Sequence, residues 1–303
     1  MTAEDRWGPW TIRSLLFMPV NEDRFLAKAH LRGADAIILD LEDSVALKEK
    51  AAARKLVPAA AGLAAHGIEV VVRINSPIRL GIPDLEAVIG PHVNCIWLAK
   101  SQSAAHVQMM ADTIAELEAE RGMPVGSTWM GARIETGEAF MRIGEIANAN
   151  PRVRTIGLGG EDFSLSIGVE PAIDTLLYPK QHSIIAARAA GVAPVGLMTS
   201  SANFSDLQTM RHVVRESRRF GFVGAACIHP NVVPILNEEF RPRPDEVAAA
   251  RRISEAFKAG IKEGKASINV DGKMVDYPVA YRADRVLERD ALIAAREAKT
   301  KRA

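Results

Sequence analysis

Short apolar runs recur along the chain, separated by longer stretches in which apolar positions return every three or four residues. The runs are Ser14–Met18, Ala36–Asp40, Val70–Ile74, Cys95–Ala99, Thr128–Ile134, Thr155–Leu158, Pro194–Met198 and Ala225–Ile228. Most are continuously apolar rather than alternating, the pattern of parallel strands covered on both faces. The helical period appears in Asp23–Leu31, Ser44–His66, Gln102–Arg121, Gly137–Ala149, Gln181–Ala190 and Asp206–Phe220. Gly122 with Pro124, Asn150 with Pro151, Gly191 and Gly221 supply the stops. Such alternation predicts βαβ units and a parallel sheet. Eight units in about 230 residues match a (β/α)8 TIM barrel. An open doubly wound sheet is the alternative, and no GxGxxG follows the first run to favour it.

The pattern changes after the eighth run. Pro242, Pro244 and Asp245 mark a boundary and a helix start, so the chain divides into a barrel over 1–241 and an extension over 242–303. Asp245–Glu263 reads as a helix, Ser267–Pro278 as short extended pieces turning at Asp271-Gly272, and Ala280–Ala298 as a final helix.

Composition narrows the class. The 303 residues are 48% hydrophobic with a formal charge of +1, enough apolar matter for a large core and no basic excess for nucleic acid or a membrane surface. Cys95 and Cys227 lie in apolar runs and read as reduced core residues. The N-terminus lacks the basic start and apolar stretch of a signal peptide, and no apolar run spans a bilayer. The expectation is a cytoplasmic protein.

Candidate chemistry sits where the runs end, because barrel enzymes carry their sites at the carboxyl ends of the strands. Run two ends in Asp40-Leu41-Glu42-Asp43, run three in Arg73-Ile74-Asn75-Ser76, run four at Lys100 and run five in Arg133-Ile134-Glu135-Thr136. Run six ends in Gly159-Gly160-Glu161-Asp162 and run eight in His229-Pro230. Glu135 and Asp162 are hard oxygen ligands without nearby His or Cys, a set that suits Mg²⁺. The competing reading pairs them with Arg133 or Arg73. Arg73 is a forked donor suited to a substrate carboxylate, while Arg133 reads as one half of a structural pair. Glu42 and Asp43 read as groups that orient arginines or metal-bound water. His229 either lines the site or is structural, and the other histidines read as structural or solvated. Arg24 and Lys28 share a helix face that either receives phosphates or is solvated.

RSLLFMP (Arg13–Pro19), ILDLEDSV (Ile38–Val45), VVRIN (Val71–Asn75), ARIETGEAF (Ala132–Phe140), GLGGEDF (Gly157–Phe163) and CIHP (Cys227–Pro230) stand in one order. With INVDGKMVDYPV (Ile268–Val279), they resemble the citrate lyase β-subunit family of the HpcH/HpaI aldolase superfamily over nearly the whole chain. The resemblance implies a TIM barrel whose C-terminal helical extension packs on a neighbouring subunit, in homotrimers or hexamers. It implies Mg²⁺ held by Glu135 and Asp162, and Arg73 gripping a substrate carboxyl or carbonyl. It also implies that Asp276, otherwise a turn or cap residue, serves as acid/base in the next subunit's site. Acyl-CoA contacts would fall on Phe17, Lys28, Arg73, Glu135, Ile228 and His229. Val20, Ala99, Ala225 and the Thr/Ser-rich stretch Met198–Asp206 depart from the family pattern near the expected substrate entrance. The implied activity is cleavage or formation of a β-hydroxyacyl-CoA such as citryl-, malyl- or citramalyl-CoA. A pyruvate-type aldolase on free 2-keto acids and a non-catalytic metabolite-binding subunit are the rival readings.

Overall fold

The structure, a computed structural model, describes residues 9–21, 26, 28–59, 67–199 and 206–300. The chain divides into two compact units, one ending at Glu238 and one beginning at Glu239.

The first unit is built on eight parallel strands, β1 Ser14–Pro19, β2 Ala36–Asp40, β3 Glu69–Ile74, β4 Cys95–Leu98, β5 Trp129–Ile134, β6 Val153–Leu158, β7 Ala193–Pro194 and β8 Ala225–Cys227. Their order in the sheet is β7-β6-β5-β4-β3-β2-β1-β8. Two further backbone bonds join the ends: Val223 N–H donates to Pro194 C=O at 3.1 Å and Gly196 N–H to Gly224 C=O at 2.9 Å. The sheet is thus a closed (β/α)8 barrel. Alternate strand residues Leu15, Ala36, Ile38, Val71, Cys95, Trp97, Trp129, Ala193 and Val195 gather in one buried cluster, the barrel interior. The intervening residues lie under the helices, so both faces are largely covered and the runs are mostly apolar.

Helices between strands are α1 Lys50–Arg54, α2 Ile78–Val88, α3 Ala104–Glu120, α4 Gly137–Met141, α5 Ile143–Ala147, α6 Gly160–Ile167, α7 Ile173–Ala189 and α8 Leu207–Phe220, and α9 Val233–Glu239 follows β8. Local chemistry sets several of their ends. Ser103 Oγ accepts from His106 N–H, Thr136 Oγ1 from Ala139 N–H, and Asp206 from the amides of Gln208 and Thr209. Gly168 closes α6 in the left-handed conformation that glycine adopts without strain.

Several expectations need correction. The stretch Ser44–His66 is not one helix: a 3-10 turn at Leu47–Glu49 leads into the single-turn α1, and residues 60–66 lie outside the described residues. Gly137–Ala149 breaks at Arg142 into α4 and α5. The seventh strand ends at Pro194, because the amides of Val195 and Gly196 bond to neighbouring strands from irregular backbone. Helices α2 and α6 escaped the sequence reading, and α7 begins at Ile173 rather than Gln181. Pro83 and Pro179 lie inside α2 and α7, and packing of Leu85 and Val88, and of Leu176, Ile184 and Ala187, carries both helices past them. Of Asp23–Leu31, residues 23–25 and 27 lie outside the described residues, and its end is a 3-10 turn at Ala29–Arg32.

The second unit holds α10 Pro244–Lys262, the hairpin β9 Ile268–Val270 and β10 Lys273–Val275, and α11 Tyr277–Thr300. Asp271 and Gly272 both have positive φ, 51° and 77°, which makes the tight Asp-Gly turn the sequence announced. Phe257, Val275 and Ala280 form its small core, with Ile253, Ile268, Val270 and Val279 against them. Both cysteines are buried and free. Among the described residues no helix is long and apolar enough to cross a membrane.

Candidate active site

A cavity of about 510 Å³ opens in the first unit at the carboxyl ends of the strands. Phe17, Asp40, Asp43, Arg73, Arg133, Glu135, Glu161, Asp162, Lys180 and Ile228 are among its lining residues. Strand period explains the set: Phe17, Asp40, Arg73, Arg133 and Glu135 continue the alternate positions that fill the barrel interior below.

Arg73 stands in register with Asp40 on β2 and Trp97 on β4. Its Nε and Nη2 donate to the two oxygens of Asp40, each at 2.7 Å, a forked pair that fixes the guanidinium plane. Nη1 is left facing outward, 3.2 Å from Asp43 Oδ2 and 3.0 Å from Glu42 Oε2. The Phe17 ring lies 4.8 Å beneath the guanidinium carbon. Burial works to raise the Asp40 carboxyl, but the bonds from Arg73 outweigh it and hold the group below the usual carboxylate range. For Arg73 burial is likewise overridden, and its proton is held more firmly than usual. The fork of Arg73 is thus taken by Asp40, while Nη1 is shared between Asp43 and Glu42.

Glu42 is buried. Burial, with Glu135 and Asp43 adding to it, outweighs Arg73 and Lys100 and pushes its carboxyl up to about 7. Lys100 Nζ donates to Glu42 at 2.7 Å while the Lys100 amide donates to Glu135 Oε2 at 2.8 Å. Lys100 has φ of 45°, a left-handed conformation for a side-chain-bearing residue, at the one place where its backbone serves Glu135 and its side chain serves Glu42.

Glu135 and Asp162 come from adjacent strand ends and both line the cavity. Glu135 meets neither Arg133 nor Arg73 in an ion pair; its hydrogen bond is to Lys100. The Asp162 carboxylate makes no hydrogen bond or ion pair with any described residue. A Cβ at Gly159 would stand 2.7 Å from Glu135 Oε1, so glycine there lets the carboxylate lie over β6. No group of three or more His, Cys, Asp or Glu forms a metal cluster among the described residues. Two carboxylates facing an open cavity nonetheless fit a hard cation that keeps waters and takes substrate oxygens.

Arg133 does not form the structural pair expected of it. Its guanidinium lies 4.9 Å over the Trp97 ring, and Nη1 makes one long bond of 3.5 Å to Val195 C=O. Lys180, on α7, was not singled out from the sequence. Its side chain is buried, lines the cavity, and donates to the carbonyls of Leu197 and Thr199. Burial, with Arg133 nearby, pulls its ammonium down to about 7 against the weaker pull of Glu161. The available signal was the pair of glycines at 157 and 159, which leave the wall of β6 bare opposite 133 and 135.

Lys28 and His229 are not among the residues that line the cavity. Lys28 is exposed before the 3-10 turn Ala29–Arg32. His229 Nδ1 accepts from Asn231 N–H and starts a short 3-10 helix, while its neighbour Ile228 does line the cavity. Arg24 lies outside the described residues. Asp276, in the second unit, caps α11 by accepting from Val279 N–H at 3.3 Å.

Comparison with known proteins adds to this geometry. A family model described as HpcH/HpaI aldolase/citrate lyase matches residues 13–230. Citrate lyase subunit beta of Escherichia coli K12 is 36% identical over 293 residues, 95% of this chain and 96% of that protein. A (3S)-malyl-CoA thioesterase of Cereibacter sphaeroides is 32% identical over 287 residues, 93% of this chain and 96% of that one. The crystal structure of CitE from Mycobacterium tuberculosis, in complex with magnesium, acetoacetate and coenzyme A, superposes with a TM-score of 0.73 at 28% identity. That match covers 92% of this chain and 97% of the other.

Proposed function

The chain belongs to the HpcH/HpaI aldolase/citrate lyase family, and from that premise we propose that it is a Mg²⁺-dependent carbon–carbon lyase acting on a β-hydroxyacyl-CoA. One observation carries this reading. Asp162, whose carboxylate has no hydrogen-bond or ion-pair partner among the described residues, lines the same cavity as Glu135 and Arg73.

Glu135 and Asp162 would hold Mg²⁺, in keeping with the magnesium in the CitE complex. The bound ion supplies Lewis-acid stabilisation of negative charge on a carbonyl oxygen. Arg73, clamped by Asp40, presents Nη1 to the carboxylate of the hydroxy acid and fixes its orientation. Phe17 and Ile228 give the acyl chain an apolar wall, with Lys28 and His229 placed for the CoA portion outside it. Asp276, brought by the extension of a neighbouring subunit, takes the hydroxyl proton. The electrons of that O–H bond form the keto group, the adjacent C–C bond breaks, and the pair passes to the thioester as an enolate. Protonation at carbon then yields acetyl-CoA beside a keto acid.

The resemblance to (3S)-malyl-CoA thioesterase supports a second outcome on the same site, attack of water on the thioester. A spectrophotometric screen of citryl-, malyl- and citramalyl-CoA, with Mg²⁺ and with EDTA, separates the two. Mg²⁺-dependent acetyl-CoA from one substrate supports the lyase. Free CoA with the intact hydroxy acid supports the thioesterase. No turnover of any, with full Mg²⁺ binding, overturns both and favours a free-keto-acid aldolase.

A further inference from the structure

The deep end of the cavity holds two cations that the proposed chemistry leaves unused. Arg133 stands two residues before Glu135 on β5 and faces the same way, one pleat further into the barrel. A guanidinium carries five N–H donors, and Arg133 spends one, at 3.5 Å, on Val195 C=O. Lys180 spends two of its three on Leu197 and Thr199. Neither is in an ion pair with a carboxylate among the described residues. Lys180 is buried and Arg133 half-buried, and cations held away from water without a counter-charge are costly to keep. Gly157 stands in register with Arg133, and a Cβ there would come within 2.1 Å of Arg133 Nη1 and 2.2 Å of the Val195 carbonyl that Arg133 bonds.

We propose that Arg133 and Lys180 form an anion-recognition end of the cavity that receives a second carboxylate of the substrate acid. This rests on the reading of Glu135, Asp162 and Arg73 as the end that holds the hydroxy- or keto-acid group. The first carboxylate meets Arg73 at the rim, and the second reaches one pleat deeper, over the Trp97 face. A nucleotide phosphate does not fit the role, because the site lies below the Glu135 layer inside a cavity of about 510 Å³. The substrate class is therefore a hydroxyacyl-CoA whose acid portion yields a 2-keto dicarboxylate, not a 2-keto monocarboxylate. Arg133 and Lys180 are the residues that set this preference.

Calorimetric titration with oxaloacetate and with 2-oxobutyrate, in Mg²⁺, tests the inference, since a methyl replaces the second carboxylate in the latter. Oxaloacetate is expected to bind at least about tenfold more tightly, the worth of a charge-assisted hydrogen bond. In Arg133→Met and in Lys180→Met the ratio of the two affinities is expected to fall to within about twofold, with Arg133→Lys recovering part of it. Equal affinities in the unaltered protein, or a ratio that survives both Met substitutions, overturns the second-carboxylate site and leaves the rim chemistry standing. Mg²⁺ binding with no binding of either acid overturns the rim reading itself. The wild-type comparison stands even if a variant fails to fold.

Discussion

Single residues in this site are placed by what their neighbours lack. Gly159 has φ of −77° and ψ of 102°, an ordinary backbone for alanine, so only the 2.6 Å approach to Glu135 Cγ forbids a methyl there. Gly159→Ala is expected to move the Glu135 carboxylate and weaken Mg²⁺ about 10–100-fold, as support-residue changes at metal sites do. Calorimetric Mg²⁺ titration of the variant checks this, and unchanged affinity removes Glu135 from the ligand set. Lys180 gives a prediction with a definite sign. The folded chain releases its ammonium proton near 7 and an unfolded lysine near 10.5. Between those values the unfolded state binds more protons, so stability rises with pH across that window. The melting temperature of the wild type, relative to Lys180→Met, is expected to climb between pH 7 and 10; a flat difference in calorimetric scans contradicts it. The sequence showed the acid pair and Arg73 because their side-chain chemistry is local to each motif. It did not show that Asp40 occupies the fork of Arg73, or that Lys180 joins the site from a helix, because both depend on contacts between distant segments.

At the scale of elements, strand positions were the most legible part of the fold. A parallel strand buried on both faces leaves an unbroken apolar run, and β2 falls on the expected residues. Helices were read less well, since amphipathic period was required of segments that tertiary packing holds without it: α6 has eight residues and α2 carries a proline. One buried network ties α3 to the strands beside it. Glu118 accepts from Arg152 at 2.6 and 3.1 Å and from the amides of Gly126 and Thr128 at 2.6 and 2.7 Å. Burial opposes the charge on Glu118, but these donors prevail and lower its carboxyl to about 2. Its stabilising effect is complete above the ordinary value of 4.5 and disappears as pH falls towards 2. Glu118→Gln leaves Arg152 without its counter-charge and is expected to cost about 3–5 kcal/mol at neutral pH. Urea unfolding measures that cost, and the gap to wild type should narrow from pH 4.5 downwards.

For the whole molecule the proposal places one catalytic group outside the chain that holds the metal. Asp276 belongs to the second unit and, as an isolated position, is a helix cap; nothing in its local pattern distinguishes it from other caps. If it works in a neighbour's cavity, two inactive proteins mixed under conditions that exchange subunits should regain activity. Asp276→Asn mixed with Glu135→Gln is expected to recover about a quarter or less of wild-type turnover, because some sites receive both intact residues. Light scattering confirms that mixed oligomers form. Their silence in the lyase assay sinks the shared site and returns Asp276 to its capping role.

The bare wall of β6 has a historical corollary. A side chain at position 157 would collide with the Val195 carbonyl, 2.2 Å from its Cβ, as well as with the Arg133 guanidinium. The carbonyl is main chain and cannot swing aside as an arginine can, so the barrel wall requires glycine at 157 whatever residue stands at 133. Position 133 can therefore change against a constant glycine, and relatives that share Gly157 can differ in the charge they present to the cavity.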